Sequence, residues 1–158
     1  FEKAGQKVTY GGRDFKGALG DMVVLAVPYG AVDSILSAHK EELAGKVVVD
    51  ITNPVNFDTF DGLVVPADSS AAAEIQKKVP EALVVKAFNT TFAGVLVAAS
   101  DSADAKKKLA QALEGSGLSV MDAGSLKRAR EMEALGFLQI SLAAGKKISW
   151  TGGFAVLH

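Results

Sequence analysis

Arg13 follows a short strand-like run, Val8-Thr-Tyr10, and two glycines, Gly11 and Gly12. A guanidinium presents a planar fork of donors that suits phosphate oxygens. In a dinucleotide fold, the end of the second strand meets the adenosine ribose. An acidic residue there holds the 2′-hydroxyl, whereas an arginine accommodates a 2′-phosphate. Lys16 adds a second positive charge, and Asp14 stands one place past the usual acidic position. The alternative reading of Arg13 is a solvated turn residue. If a dinucleotide binds, Arg13 favours NADP over NAD.

Three further stretches each close an apolar run: Val27-Pro28-Tyr29, Thr52-Asn53-Pro54 and Ala87-Phe88-Asn89-Thr90. Neighbouring parallel strands would bring these ends to one edge of a sheet, the edge where open α/β folds bind ligands. A nicotinamide ring would find flat contacts on Val27, Pro28 or Phe88. Its carboxamide would find polar partners on Asn53 or Asn89. Asn-Pro and Asn-Thr are also ordinary turn residues, so each stretch alone says little.

Other chemistry-bearing residues are weaker. Lys86 sits inside an apolar strand; it reads as an amine with a lowered pKa or as a strand-end lysine reaching water along its stem. His39 lies among Lys40, Glu41 and Glu42, a solvated setting, and His158 is terminal. The Lys106–Lys108 run reads as a wet helix face. No nucleophile–base pair, paired carboxylates or metal-ligand cluster stands out, so no catalytic side chain and no metal are assigned. The chemistry then belongs to a bound cofactor, and hydride transfer fits because the protein need only orient two rings and exclude water. A glycine-rich phosphate motif opening a helix is missing; Gly115-Ser-Gly117 ends a helix instead.

The elements that must position these residues follow a regular rhythm. Met22–Val27 is an unbroken apolar run, expected of a strand covered on both faces. Pro28 stops it, and Ala31, Val32, Ile35, Leu36 and Leu43 recur at helical spacing. Further strands are expected at Lys46–Ile51, Leu83–Phe88, Val95–Ala98 and Ser119–Asp122. Helices are expected from Ser69 or Ser70 to Lys78, from Asp101 or Ser102 to Glu114, and from Ser125 to about Ala144. Gly5 marks the end of a helical turn at the start of the chain. The alternation implies a mostly parallel, doubly wound α/β sheet with right-handed crossovers. The crossover after Tyr10 and the link around Gly94 are both too short for the helices such a sheet needs. Residues are therefore expected to be absent before Phe1 and near Phe15–Gly20; around Gly94 either a tight loop joins the two strands or another segment is absent.

At 158 residues the chain is one domain, or one domain with a helical appendage. Its net charge of −1 gives no sign of a nucleic-acid or membrane-surface partner. It has no cysteine, which excludes disulfides and thiolate chemistry and fits a cytoplasmic protein. No apolar stretch approaches the roughly 20 residues of a membrane span.

The runs DMVVLAVPYGAV, VVVDITNPV, VVKAFNTTFAG, DAGSLKRAREMEALGFLQISLA and KISWTGGFAV resemble the NADPH-dependent reductases of coenzyme F420, a deazaflavin, and their NADP-binding relatives. The same pattern occurs in the oxidoreductase domain of transmembrane metalloreductases. The resemblance implies a Rossmann-like NADP-binding domain over 1–122 and a small C-terminal helical part over 123–158 on the substrate or dimer side. It implies hydride transfer between NADP(H) and a deazaflavin or flavin, in a homodimer that takes small-molecule substrates. By this resemblance Gly12 and Arg13 match a Ser-Arg pair that holds the 2′-phosphate, with glycine replacing serine, and Lys16 matches a nearby phosphate-binding lysine. Tyr29 and Val32 match residues beside the cofactor. Ala87, Phe88, Asn89 and Ala93 match the loop where nicotinamide meets the second ring; the reductases proper carry histidine in the place of Asn89. The competing functions are an NADP(H) sensor without turnover and a reductase of small imines or carbonyls.

Overall fold

Strands β1 (Met22–Leu25), β2 (Val47–Asp50) and β3 (Leu83–Lys86) form a parallel sheet in the order β1-β2-β3. This computed structural model describes residues 1–12, 15–90 and 95–150; Arg13, Ala93 and His158 lie outside them. The register sets Leu25, Asp50 and Lys86 side by side, so the segments after all three strands leave from one edge.

A second parallel pair, β4 (Val95–Ala98) with β5 (Ser119–Asp122), joins this sheet through an antiparallel bridge between Lys86 and Ala99. The two residues exchange N–H···O bonds of 2.8 and 3.0 Å. Chain direction thus reverses between β3 and β4. Antiparallel neighbours need no crossover helix.

The unbroken apolar runs are explained by cover on both faces. Val48 and Val84 pack on one side with Leu36, Ile75 and Ala129; Val47, Val49 and Val85 pack on the other with Leu96 and Leu109. Each buried valine contributes about 1.5–3 kcal/mol, more than the ~1 kcal/mol net of a ladder hydrogen bond. Side-chain burial therefore decides where the sheet sits. β1 differs: it is the edge of the described sheet, and Val24 is 37% exposed. Val8–Tyr10, expected as a strand, is irregular and has no strand beside it among the described residues, with Tyr10 78% exposed.

The helices follow their capping residues. Helix α1 (Val32–His39) buries Val32 and Leu36. Ser70 Oγ accepts the Ala73 N–H at 3.1 Å to open α2 (Ala71–Lys78), and Ser102 Oγ does the same for Ala105 at the head of α3 (Ala103–Ala112). Asp101, the other capping choice, instead accepts from the Leu126 N–H at 3.0 Å. That bond holds the 3₁₀ turn Leu126–Arg128 from which α4 (Ala129–Ala144) runs on. Gly5 ends the 3₁₀ turn Glu2–Ala4 at φ 77°, the left-handed position expected for it. Lys106 corrects the wet-face reading of its run: its Nζ donates to Asp122 Oδ1 at 2.6 Å and to the Gly124 carbonyl at 2.9 Å. Among the described residues no helix is long and apolar enough to cross a membrane.

Candidate functional site

The rim at the carboxyl end of β1, β2 and β3 gathers the three predicted strand ends. Pro28 leads into a 3₁₀ turn, Tyr29–Ala31, that feeds α1. Thr52 and Asn53 follow β2; Ala87, Phe88 and Asn89 follow β3. Helix α4 closes on this rim. Asn89 Nδ2 donates to Asn53 Oδ1 at 3.2 Å and to the Met132 carbonyl at 3.0 Å. Gly136 permits the approach: a Cβ there would stand 2.5 Å from Asn53 Oδ1 and 3.2 Å from Asn89 Nδ2. Asn89 Oδ1 and Thr52 Oγ1 are buried atoms without a hydrogen-bond partner.

Between them Phe88 adopts φ 63°. A left-handed conformation in a non-glycine residue costs about 1–3 kcal/mol and persists only where its surroundings enforce it. Its ring lies against Phe1, centroids 5.9 Å apart.

Beneath the rim lies a cluster that the sequence did not announce. Lys86 is fully enclosed, which overturns the reading of a stem reaching water. Its Nζ stands 2.8 Å from Asp50 Oδ2 and 3.2 Å from Glu133 Oε1, and it also donates to the Thr52 carbonyl. Asp50 Oδ1 accepts the Thr52 N–H at 2.9 Å. Glu133, from α4, accepts the N–H groups of Ala71 at 2.8 Å and Ala72 at 3.3 Å, the first residues of α2. Burial pushes the Glu133 carboxyl above its ordinary range, against the pull of Lys86 and the two amides. Above the cluster, the Tyr29 phenol is pushed up to about 12, first by burial and then by the charges of Asp33, Glu74, Glu133 and Asp50.

Other predicted residues take different places. Val32 and Ala87 are fully buried and stand behind the rim, in opposite core layers. Val27 is half-buried against the same core as Val32, and Pro28 is exposed. Gly12 and Lys16 are exposed, before β1. Arg13 and Ala93 lie outside the described residues. An open depression of 350 Å³ lined by Pro28, Gly30, Ala31 and Ser34 coincides with the turn after β1. A larger one, 410 Å³, lies at the opposite edge among Gln76, Leu83, Ser100 and Asp101 and touches none of the rim residues. Chemistry weighs more than size here, so the rim is the better candidate. No group of three or more His, Cys, Asp or Glu that could hold a metal occurs among the described residues.

Sequence reasoning missed Asp50, Met132, Glu133 and Gly136. One signal was available: Asp50 and Lys86 close apolar runs of similar length with opposite charges, and they face each other in register.

A sequence profile described as NADP oxidoreductase, coenzyme F420-dependent, matches residues 3–54. The F420-dependent NADP reductase of Methanocaldococcus jannaschii is 32% identical over 148 residues, spanning 84% of this chain and 66% of that protein. Metalloreductase STEAP3 of Rattus norvegicus is 31% identical over 113 residues, 65% of this chain and 22% of its own length. The chain therefore spans slightly less than two thirds of the first of these relatives and about a fifth of the second. A crystal structure from Arthrobacter sp. FB24, named as a candidate F420-dependent NADP reductase, superposes with a TM-score of 0.75 at 28% identity, covering 89% of this chain and 71% of that one. Together with the parallel sheet and its helices, these likenesses make the fold Rossmann-like. The chain is similar to the coenzyme F420-dependent NADP oxidoreductases.

Proposed function

We propose that this chain binds NADP(H) along the carboxyl rim of β1–β3 and transfers a hydride between it and a deazaflavin of the coenzyme F420 class or a flavin. The observation that carries this reading is the convergence of Tyr29, Asn53 and Phe88 on one rim, where Asn89 Oδ1 has no hydrogen-bond donor. A carboxamide N–H is the donor that such an acceptor lacks. Val27, Pro28 and Phe88 flank the ring, while Asn53 and Asn89 orient its carboxamide. Tyr29 and the backbone of the turn after it lie beside the pyrophosphate side, with Val32 and Ala87 supporting from behind.

Gly12, Arg13 and Lys16 are assigned to the 2′-phosphate, and Ala93 to the second ring. The nicotinamide supplies the hydride chemistry when bound. The chain's part is to hold two flat molecules face to face and keep water out. The C-terminal part, 123–158, covers the acceptor side and pairs with a second copy of the chain.

Mixing the protein with NADPH and F420 and following the deazaflavin absorbance tests the reading. Loss of that absorbance is expected. NADPH binding without reduction of F420 or a flavin would instead favour a sensor. Arg13→Ala is expected to weaken NADPH roughly ten- to a hundredfold, through loss of a charge-assisted bidentate contact, and to leave NADH nearly unchanged. Equal loss of both would remove the 2′-phosphate assignment.

A further inference from the structure

Directly under the rim, one cation and two anions share an enclosed space. Lys86, Asp50 and Glu133 are 0%, 0% and 1% exposed. Asp50 already pairs with Lys86 at 2.8 Å, so the second carboxylate exceeds what a neutral ion pair requires. Every partner of Glu133 donates to it: Lys86 from β3 and the Ala71 and Ala72 amides of α2. These partners suit the ionised form. The cluster then carries a formal charge of −1, offset in part by the half charge at the amino end of α2.

We propose that this enclosed negative charge tunes the nicotinamide: it favours the oxidised, cationic ring over the reduced, neutral one, and so biases the site toward taking hydride from NADPH. This rests on the NADP(H) reading above. In the step concerned, the hydride departs from the reduced ring with both bonding electrons. The ring becomes a cation, and the deazaflavin or flavin acceptor gains the hydrogen and the electron pair. The acceptor is left as an anion that takes a proton from water, and the protein takes up no electrons.

Three observations support the direction. Asp50 and Lys86 are the last residues of β2 and β3, so the cluster stands where the rim loops begin. It is sealed from solvent, which keeps the screening of bulk water away. Its field also reaches the rim, since Glu133 and Asp50 are among the charges that hold the Tyr29 phenol up, after burial, Asp33 and Glu74.

Isothermal titration of wild type and Glu133→Gln with NADP⁺ and with NADPH, both at pH 8, gives the test. The ratio Kd(NADP⁺)/Kd(NADPH) is expected to rise roughly tenfold in the variant, the order of effect of one buried unit charge acting at an effective dielectric near 20. Asp50→Asn is expected to move the ratio in the same direction. If either variant fails to fold, wild type alone answers: lowering the pH protonates Glu133 and raises the ratio. Asp50, Lys86 and the α2 amides are the charged and polar groups facing Glu133, and the 2′-phosphate titrates in both nucleotides and cancels. A ratio unchanged by substitution and by pH, in a protein that binds both nucleotides, would overturn the inference while leaving the cofactor reading intact. Binding of neither nucleotide would overturn both.

Discussion

Asn89 Nδ2 donates to the Met132 carbonyl at 3.0 Å, and through that bond the end of β3 holds the first turn of α4. The same nitrogen reaches Asn53 Oδ1. Asn89→Asp turns this donor into an acceptor facing two acceptors, whereas Asn89→Ala merely deletes it. The aspartate variant is expected to lose about 1–3 kcal/mol, and more than the alanine variant. Urea unfolding with an unchanged slope would show the difference as a shift in midpoint.

Gly136→Ala sets two effects against each other. Alanine is the better helix residue by up to about 1 kcal/mol, but its methyl would press on Asn53 Oδ1 from 2.5 Å. The amide end of Asn53 is the part free to yield, so stability is expected to change by less than about 1 kcal/mol. The cost falls on the rim. NADPH affinity is expected to drop several-fold as the Asn53–Asn89 pair opens, measured by titration beside a thermal melt.

Glu133 makes folding depend on pH in a stated direction. Its carboxyl titrates above its ordinary value of 4.5 in the folded chain, chiefly because burial disfavours the charge. Between that value and its higher folded value, the folded state binds more protons than the unfolded state. The Glu133 contribution is therefore complete below 4.5 and is lost as pH rises through the folded value. The stability difference between wild type and Glu133→Gln, measured by urea unfolding across this range, is expected to shift against wild type as pH rises.

Lys86→Met leaves Asp50 and Glu133 enclosed without a counter-charge. A loss of about 3–5 kcal/mol at neutral pH is expected. Replacing all three residues by apolar side chains of matching volume is expected to recover most of it, since no charge then remains to be paired. Denaturant unfolding of the single and triple variants distinguishes the two cases.

Ser70→Ala removes the side-chain cap of α2 and is expected to cost about 1 kcal/mol by the same measurement. The amino end of α2 also carries the Glu133 bonds, so the Ser70→Ala loss should grow in a Glu133→Gln background.

Much of the fold was legible because its signals are local. Ser70 and Ser102 each precede the helix they cap. The run Val47–Asp50 has no alternation because both its faces are covered. Val8–Tyr10 failed for the complementary reason: alternation is a property of the segment, but a strand also needs a neighbour. The rim was predicted through turn residues that any loop would carry, and parallel register made it one edge. Lys86 was misjudged because its partners are distant in sequence. Glu133 lies on a helix whose sequence does not show which face is covered, and only the packing of α4 against α2 turns it inward.

The enclosure of Lys86, Asp50 and Glu133 has a bearing on how such chains diverge. Loss of Lys86 leaves two enclosed carboxylates without a counter-charge, so that single step is the disfavoured one. Homologous sequences that keep both Asp50 and Glu133 should therefore keep the cation at position 86, and that joint inheritance would mark the lineages that keep this way of joining α4 to the sheet.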